Sequence, residues 1–130
     1  GTCRDEHRCQ QADDFQALHE RVRQAGAYVL VTPVYWGEPS ESAKAFLDRL
    51  RRCEARQGEA SVLAGKWALA VAAAGGSGGG TVSCLTTLER FLAQVRARPF
   101  DMIGIAQRSR QYKLEAIRRA AEAMVRAAQT

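Results

Sequence analysis

The chain has 130 residues, a mass of 14.2 kDa and a formal net charge of +5. Apolar residues make up 46% and charged residues 25% of the sequence, a globular balance that argues against a disordered chain. Its longest apolar run, from Trp67 to Ala74, is too short for a transmembrane helix. Residues 98–130 hold seven basic and three acidic residues, so most of the net charge belongs to this segment. We interpret it as a solvated helix face, with a nucleic-acid contact as the alternative.

The first predicted elements are a helix and a strand. Asp13 and Asp14 can cap the helix, and Gly26 is expected to stop it. Its apolar residues recur at helical spacing: Phe15, Leu18, Val22 and Ala25. The run from Ala27 to Thr32 is continuously apolar and rich in β-branched residues, which is typical of a parallel strand buried on both faces. Pro33 is expected to end this strand.

A second helix and strand follow. Ser40 can cap the helix, whose apolar stripe comprises Ala43, Phe46, Leu47, Leu50 and Cys53. Residues 57–61 are polar with a glycine, which predicts a loop. The apolar run from Trp67 to Ala74 predicts a second buried strand.

The third unit begins with a glycine run from Gly75 to Gly80, after which Thr81 can cap a helix. The apolar residues of this helix are Val82, Leu85, Leu88, Leu92 and Val95, and Pro99 is expected to break it. A third strand is predicted from Phe100 to Ala106. The last helix is predicted from about Gln111, with Leu114, Ile117, Ala121, Met124 and Ala128 facing inward. Strands that alternate with helices in this way predict an α/β fold with a parallel sheet.

The glycine run matches two catalytic motifs only in part. Gly75 and Gly80 have the spacing of a phosphate-binding Walker loop, but Thr81 occupies the position of the required lysine. The segment also matches the Gly-x-Ser-x-Gly pattern around a nucleophilic serine, here Ser77, but no histidine follows it in the chain. We therefore interpret the run as a ligand loop whose backbone N–H groups can approach a bound molecule.

A pair of aromatic residues, Tyr35 and Trp36, follows the first predicted strand. The carboxyl end of a parallel strand faces the binding crevice of an α/β sheet, where aromatic rings can stack on a planar ligand. The alternative is a plain loop that its aromatic residues anchor on the core.

The four cysteines occupy positions 3, 9, 53 and 84 and are too few and too scattered for a disulfide framework, so we expect a reducing, cytoplasmic location. Cys3 and Cys9 are short of the four ligands of a closed zinc or iron–sulfur site, so no metal site is expected. Cys53 is predicted to lie in the core and Cys84 to be a packed, inert thiol in the first turn of its helix.

These motifs together resemble the NAD(P)H-dependent FMN reductase and iron–sulfur flavoprotein family. The resemblance follows the family order from Cys3 to about Leu92. It is carried by the Cys-x5-Cys segment with Asp13-Asp14-Phe15, the apolar strand with Pro33-Val-Tyr-Trp-Gly37, the Ser40-x3-Lys44-Ala-Phe-Leu-Asp48-Arg49 segment, Leu63-Ala-Gly65-Lys66, and the glycine run. Cys3 and Cys9 match part of the iron–sulfur motif.

The resemblance implies a flavodoxin-like three-layer sandwich and hydride transfer from NAD(P)H through the isoalloxazine of FMN to an acceptor. It implies that two loops hold the cofactor, and no catalytic residue is identified. The implied FMN-binding residues are Pro33, Val34, Tyr35, Trp36 and Gly37 in one loop and Gly75, Gly76, Ser77, Gly78 and Gly79 in the other. Members are usually dimers or tetramers, which implies a homo-oligomer.

The family pattern also begins with a strand and a phosphate-binding loop that have no counterpart in residues 1–130. We therefore expect a single, N-terminally truncated domain over these residues, with only strands 3, 4 and 5 of a 2-1-3-4-5 sheet. FMN would then lack its main anionic anchor. The alternative function is a non-catalytic assembly subunit that has lost FMN binding. The strand from Ala27 to Thr32 would have an open apolar edge, which we expect another copy, a partner chain or a further N-terminal segment to cover.

Overall fold

The computed structural model describes residues 2–130 and is built on four strands. The strands are β1 (Ala27–Tyr35), β2 (Glu38–Pro39), β3 (Trp67–Ala74) and β4 (Arg98–Ala106). The α-helices are α1 (Cys3–Glu6), α2 (Phe15–Gln24), α3 (Glu41–Glu54), α4 (Thr81–Gln94) and α5 (Arg110–Ala128). Two 3₁₀ segments, Ala55–Ala60 and Gln107–Ser109, follow α3 and β4.

The sheet has the order β2-β1-β3-β4, in which β1, β3 and β4 are parallel and β2 is antiparallel to β1. This confirms the predicted α/β class and parallel sheet. The predicted bounds of β3 are confirmed at both ends, and five of its residues in a row are buried. That burial agrees with the apolar composition of a central parallel strand.

The helices cover the two faces of the sheet unequally. On one face α2, α3 and α4 bury a core that includes Phe15, Leu50 and Leu92. On the other face α5 alone packs on β3 and β4, around Leu69, Val71, Ile103 and Met124. The predicted apolar stripe of α5 is wrong at its two ends, because Leu114 and Ala128 are exposed.

The prediction that β1 is buried on both faces is wrong. Val29 and Val31 are 49% and 63% exposed, because they lie on the α5 face of the sheet, where α5 reaches β1 at Ala27 but leaves these two side chains uncovered. Within residues 2–130, β1 pairs along one edge with β3, and its other edge pairs only at Val34 and Tyr35, with β2. The strand from Ala27 to Pro33 therefore presents an unpaired edge.

Three predicted boundaries also differ from the structure. β1 continues past Pro33 to Tyr35, because β2 folds back and pairs with its last two residues. The third helix begins after Gly80, a left-handed residue with φ of +88°, and Thr81 is its first residue and does not cap it. Pro99 lies inside β4, an edge strand in which its missing N–H group is tolerated.

The caps of α2 and α3 show how local side chains set helix starts. Ser40 caps α3 as predicted, since its hydroxyl accepts a hydrogen bond from the Ala43 amide at 3.2 Å. In α2, the Asp13 carboxylate accepts from the Phe15 amide at 3.0 Å. The predicted stop of α2 is confirmed, since Ala25 is its C-cap and Gly26 stands at the next position, but Ala25 itself is extended and not helical.

Candidate functional site

The parallel strands end at the same level of the sheet. Pro33 of β1 is in register with Ala73 of β3, which is in register with Ile105 of β4. The segments that follow the three strands therefore lie side by side at the carboxyl edge, where ligands of open α/β sheets bind. We call these segments, residues 34–37, 75–80 and 106–109, the carboxyl-edge site.

The two predicted ligand loops contact each other within this site through two glycines, Gly37 and Gly80. A Cβ atom on Gly80 would lie 2.9 Å from the Cα atom of Gly37, so the two backbones touch at a distance that only glycine allows. The Ser83 hydroxyl then donates to the Gly37 carbonyl oxygen at 2.7 Å. The structure thus brings together the two segments that lie almost forty residues apart in the sequence.

The third segment was not identified from the sequence. Arg108, after β4, donates from Nη2 to the Ser77 carbonyl oxygen at 3.0 Å and so fixes the outer part of the glycine loop. Gly78 also approaches this segment, since a Cβ atom there would lie 2.9 Å from Cβ of Ala106. Residues 98–110 carry no motif that could have shown this role.

Aromatic side chains of the site face solvent. Trp36 is fully exposed and Tyr35 is 55% exposed, which contradicts the alternative in which these rings anchor the loop on the core. Trp36 also has φ of +52°, a left-handed conformation that is costly for a residue with a bulky side chain. A strained, exposed tryptophan at the end of a parallel strand favours a binding role over a packing role.

The predicted site residues differ in secondary structure. Pro33, Val34 and Tyr35 belong to β1, and Trp36 and Gly37 form the turn into β2. Gly75, Gly76, Ser77, Gly78 and Gly79 form the glycine loop, in which the Ser77 hydroxyl accepts from the Gly79 amide at 3.2 Å. Helix α4 starts directly after this loop, and no side chain caps its N-terminus within the described residues. The positive end of its dipole therefore faces the site.

Charged residues of α3 that carry part of the family resemblance, Lys44, Asp48 and Arg49, form ion pairs. Arg49 donates to both carboxylate oxygens of Asp13, at 2.8 and 2.9 Å, and its guanidinium carbon lies 4.4 Å from the Phe15 ring centroid. Hydrogen bonding from Arg49 lowers the pKa of Asp13. Lys44 pairs with Asp48 on the exposed surface of α3. The Arg49 contacts therefore fasten the start of α2 to α3.

A buried histidine–carboxyl pair was not predicted from the sequence. Glu54 is fully buried at the end of α3, and one of its carboxylate oxygens lies 3.0 Å from Nε2 of His19 on α2. The other oxygen accepts from Gln57 at 2.8 Å and from the Val62 amide at 3.3 Å. The cluster links α2, the end of α3 and the segment that follows α3, so it stabilises the fold, and none of its residues belongs to the carboxyl-edge site.

Comparison with protein families gives a match to NADPH-dependent FMN reductase over residues 2–103. The chain belongs to this family. No curated protein sequence matches the chain.

Within residues 2–130, no helix is both long enough and apolar enough to cross a membrane.

Solved structures show the same fold. A general stress protein 14 from Treponema denticola, in complex with FMN, has a TM-score of 0.59 and 16% identity over 92% of this chain and 74% of its own. An oxidoreductase from Corynebacterium diphtheriae has a TM-score of 0.61 and 19% identity over 92% of this chain and 62% of its own. An NADH:FMN oxidoreductase has a TM-score of 0.55 and 21% identity over 98% of this chain and 62% of its own. These similarities establish the flavodoxin-like fold, and the chain spans 62% to 74% of the length of these proteins.

Proposed function

We propose that the protein is a flavin-dependent oxidoreductase that uses FMN and transfers a hydride from NAD(P)H to an acceptor. Membership of the NADPH-dependent FMN reductase family supports the reaction and the cofactor. The observation that carries the proposal is the carboxyl-edge site, where exposed aromatic rings and a glycine loop meet. When bound, FMN supplies the hydride chemistry through its isoalloxazine, and the protein supplies binding and orientation.

The residues of the site fit the ring system of a flavin. Tyr35 and Trp36 offer exposed aromatic faces, and the loop of Gly75, Gly76, Ser77, Gly78 and Gly79 offers backbone amides without bulky side chains. Val34 and Gly37 lie against Gly80, and Pro33 leads into this segment from β1. The N-terminus of α4 favours the electron-rich edge of the ring, since its first amides are not capped by a side chain.

Titration of FMN into the protein tests this assignment. We expect quenching of flavin fluorescence on binding, and a Trp36→Ala variant that binds about fivefold more weakly, because an aromatic stacking contact contributes about 1 kcal/mol. Val125→Ala is the matched control, since Val125 is a half-exposed apolar residue near the other end of the molecule, at the C-terminal end of α5. Equal affinity of both variants and the parent protein would refute the role of Trp36. No binding by the parent protein would refute the flavin assignment itself.

Consumption of NADH and of NADPH in the presence of FMN tests the reaction. We expect oxidation of a nicotinamide cofactor that depends on added FMN and that falls with Trp36→Ala in parallel with flavin affinity. Flavin binding without oxidation of NADH or NADPH would support the proposed FMN site and contradict the proposed oxidoreductase activity.

A second candidate is a non-catalytic assembly subunit of the same fold. It is favoured by the unpaired edge of β1 and by the exposed side chains of Val29 and Val31 next to it. We propose, for either function, that a second copy of the chain or a partner chain covers this edge. Light scattering that shows a stable monomer at high concentration, without a partner, would contradict this proposal. FMN binding by the isolated chain would argue against the non-catalytic candidate.

We also propose that residues 1–130 form one domain in the cytoplasm. One sheet shared by both core clusters supports the first point. Four free cysteines agree with a reducing compartment. Limited proteolysis that yields stable subfragments would contradict the single domain.

A further inference from the structure

A groove between α3 and α4 begins next to the carboxyl-edge site. One of its lining residues is Glu38, which directly follows Gly37 of that site. The Thr87 hydroxyl of α4 donates to Oε2 of Glu38 at 2.8 Å and so fixes this carboxylate at the groove. The groove has a volume of about 330 Å³, which is the size of a small-ligand site. The residues proposed to bind flavin do not line it, so it is a separate feature of the molecule.

The floor of the groove is apolar. Leu47 of α3 and Phe91 of α4 are 5% and 6% exposed and belong to the large core cluster. Because core packing fixes both side chains, the polar residues of the walls stand on a well-defined base. An aliphatic and aromatic surface of this kind suits the ribose and base of a nucleotide.

Arginine side chains occupy both walls of the groove away from the carboxyl edge. On α4, which begins at that edge, Arg90 lies three residues beyond Thr87, or about 4.5 Å farther along at a rise of about 1.5 Å per residue. Helix α3 runs in the same direction, because β1 and β3 are parallel, and Arg51 lies seven residues beyond Lys44 on it. The two arginines therefore approach the same distant part of the groove from opposite walls.

The ion pairs of the groove leave these arginines with unused hydrogen-bond donors. Both oxygens of Asp48 accept from Lys44, each at 2.8 Å, so this acid already has a basic partner. Arg51 approaches Asp48 only to 3.9 Å, which is beyond hydrogen-bond distance. Among residues 2–130, no carboxylate forms an ion pair with Arg90. The free N–H groups of two guanidinium forks match the oxygens of a phosphate monoester, which is close to dianionic at neutral pH.

We propose that this groove binds the phosphate monoester of a nucleotide, with Arg51 and Arg90 as its cationic partners. Two ligands of the proposed function carry such a group, FMN at the end of its ribityl chain and NADPH at the 2′ position of its adenosine. The groove is assigned to NADPH, because the flavin and nicotinamide rings must meet at the carboxyl edge and the 2′-phosphate lies at the far end of the dinucleotide. NADH has a hydroxyl group at this position. The inference rests on the proposed function and adds to it a preference for NADPH over NADH, with Arg51 and Arg90 as specificity-determining residues.

Binding of adenosine 2′-monophosphate to the flavin-free protein tests the groove itself. Isothermal titration calorimetry should show saturable binding, and adenosine, which lacks the phosphate, should bind more weakly. Arg51→Gln and Arg90→Gln should each weaken binding of the monophosphate about fivefold or more, because each variant loses hydrogen bonds between charged groups. Arg126→Gln is the matched control, since Arg126 is an exposed arginine on α5, on the opposite face of the sheet.

Kinetics and flavin titrations distinguish the two sources of phosphate. In the presence of FMN, we expect each of the two groove variants to raise the KM of NADPH about fivefold and to leave kcat and the KM of NADH unchanged. The affinities for FMN and for riboflavin should equal those of the parent protein. Variants that bind FMN more weakly but riboflavin equally well, with an unchanged KM of NADPH, would assign the groove to flavin phosphate and overturn the preference for NADPH.

Other results overturn the proposal as a whole. These are a parent protein that shows no saturable binding of adenosine 2′-monophosphate, and binding that Arg51→Gln and Arg90→Gln weaken no more than Arg126→Gln does. Circular dichroism melts show whether each variant keeps the fold, which we expect because Arg51 is partly exposed and Arg90 is exposed. The calorimetry uses no flavin, so a parent protein that oxidises neither NADH nor NADPH would contradict the proposed function and leave the result for the groove in force.

Discussion

The two faces of the sheet differ in how completely helices cover them. Among residues 2–130, the face under α2, α3 and α4 holds twelve buried core residues, whereas the face under α5 holds four. The first face also contains the buried His19–Glu54 pair, and the second leaves Val29 and Val31 in solvent. We infer that the core under α2, α3 and α4 contributes most of the stability of the fold. On the α5 face, the exposed side chains of β1 form an apolar surface that a further chain could contact.

The largest expected effect is at Glu54, on the well-covered face. Glu54→Leu leaves His19, Gln57 and the Val62 amide without their carboxylate partner, and we expect a loss of about 3–5 kcal/mol in the free energy of unfolding. Urea unfolding measures it. Glu20→Leu is the control, since Glu20 pairs with Arg23 on the surface and its loss should cost less than about 1 kcal/mol. Equal losses in the free energy of unfolding for the two variants would show that the buried pair contributes no more to stability than a surface pair.

The core residues of the two faces allow a second, direct comparison. We expect Leu92→Ala, between α4 and the sheet, to cost about 2–5 kcal/mol, because it leaves a cavity in the large cluster. Met124→Ala, under α5, should fall at the lower end of this range, because fewer buried neighbours surround it and α5 can move toward the sheet. Thermal and urea unfolding of both variants measure the difference. A larger cost at Met124 would reverse the ranking of the faces.

The Asp13–Arg49 pair makes part of this stability depend on pH. Since Arg49 lowers the pKa of Asp13 in the folded state, the pair stabilises the protein above the ordinary aspartate pKa of about 3.9. This contribution is lost as the pH falls through the lower pKa of the folded state. We expect Asp13→Asn to destabilise the protein at pH 7, and the difference from the parent protein to disappear at strongly acidic pH. A difference in stability that is constant from pH 7 to pH 2 would contradict this linkage.

The smallest expected effect on stability is at Val31, on the sparsely covered face. Val31→Thr keeps the β-branched shape and should change the free energy of unfolding by less than about 0.5 kcal/mol, because the side chain is 63% exposed. It should nevertheless reduce self-association or partner binding through the β1 edge, which sedimentation or light scattering measures. A cost comparable with Leu92→Ala would show that this face is covered within the chain.

The elements that the sequence predicts well are those with a strong local signal. β3 is continuously apolar, and Ser40 stands at the start of an amphipathic helix, so the bounds of the first and the cap of the second are confirmed. The meeting of the aromatic turn and the glycine loop follows from the rule that parallel strands end at one edge. The sequence of β1 does not reveal how much of it is covered, because its apolar residues are the same whether the covering element lies in this chain or elsewhere.

Contacts between distant residues explain most of what the sequence could not predict. His19 and Glu54 are 35 residues apart, and Arg108 and Ser77 are 31 apart, and neither pair belongs to a periodic pattern. The start of α4 after Gly80 depends on the left-handed backbone of that glycine, and the sequence hides this because the neighbouring Thr81 is itself a good capping residue. Both kinds of error arise where tertiary packing overrides the local preference.

The two tryptophans of the chain lie at opposite ends of the sheet, so their fluorescence reports on different parts of the molecule. Trp36 is fully exposed beyond the end of β1, so its emission should be red-shifted and open to collisional quenching by acrylamide. Trp67 begins β3, and its ring is held between the Arg98 guanidinium, 3.6 Å from the centroid, and the edge of Phe100. Its emission should be shielded until β3 and β4 separate. Ligand binding and global unfolding can therefore be followed separately by native fluorescence, in the same sample and without a label.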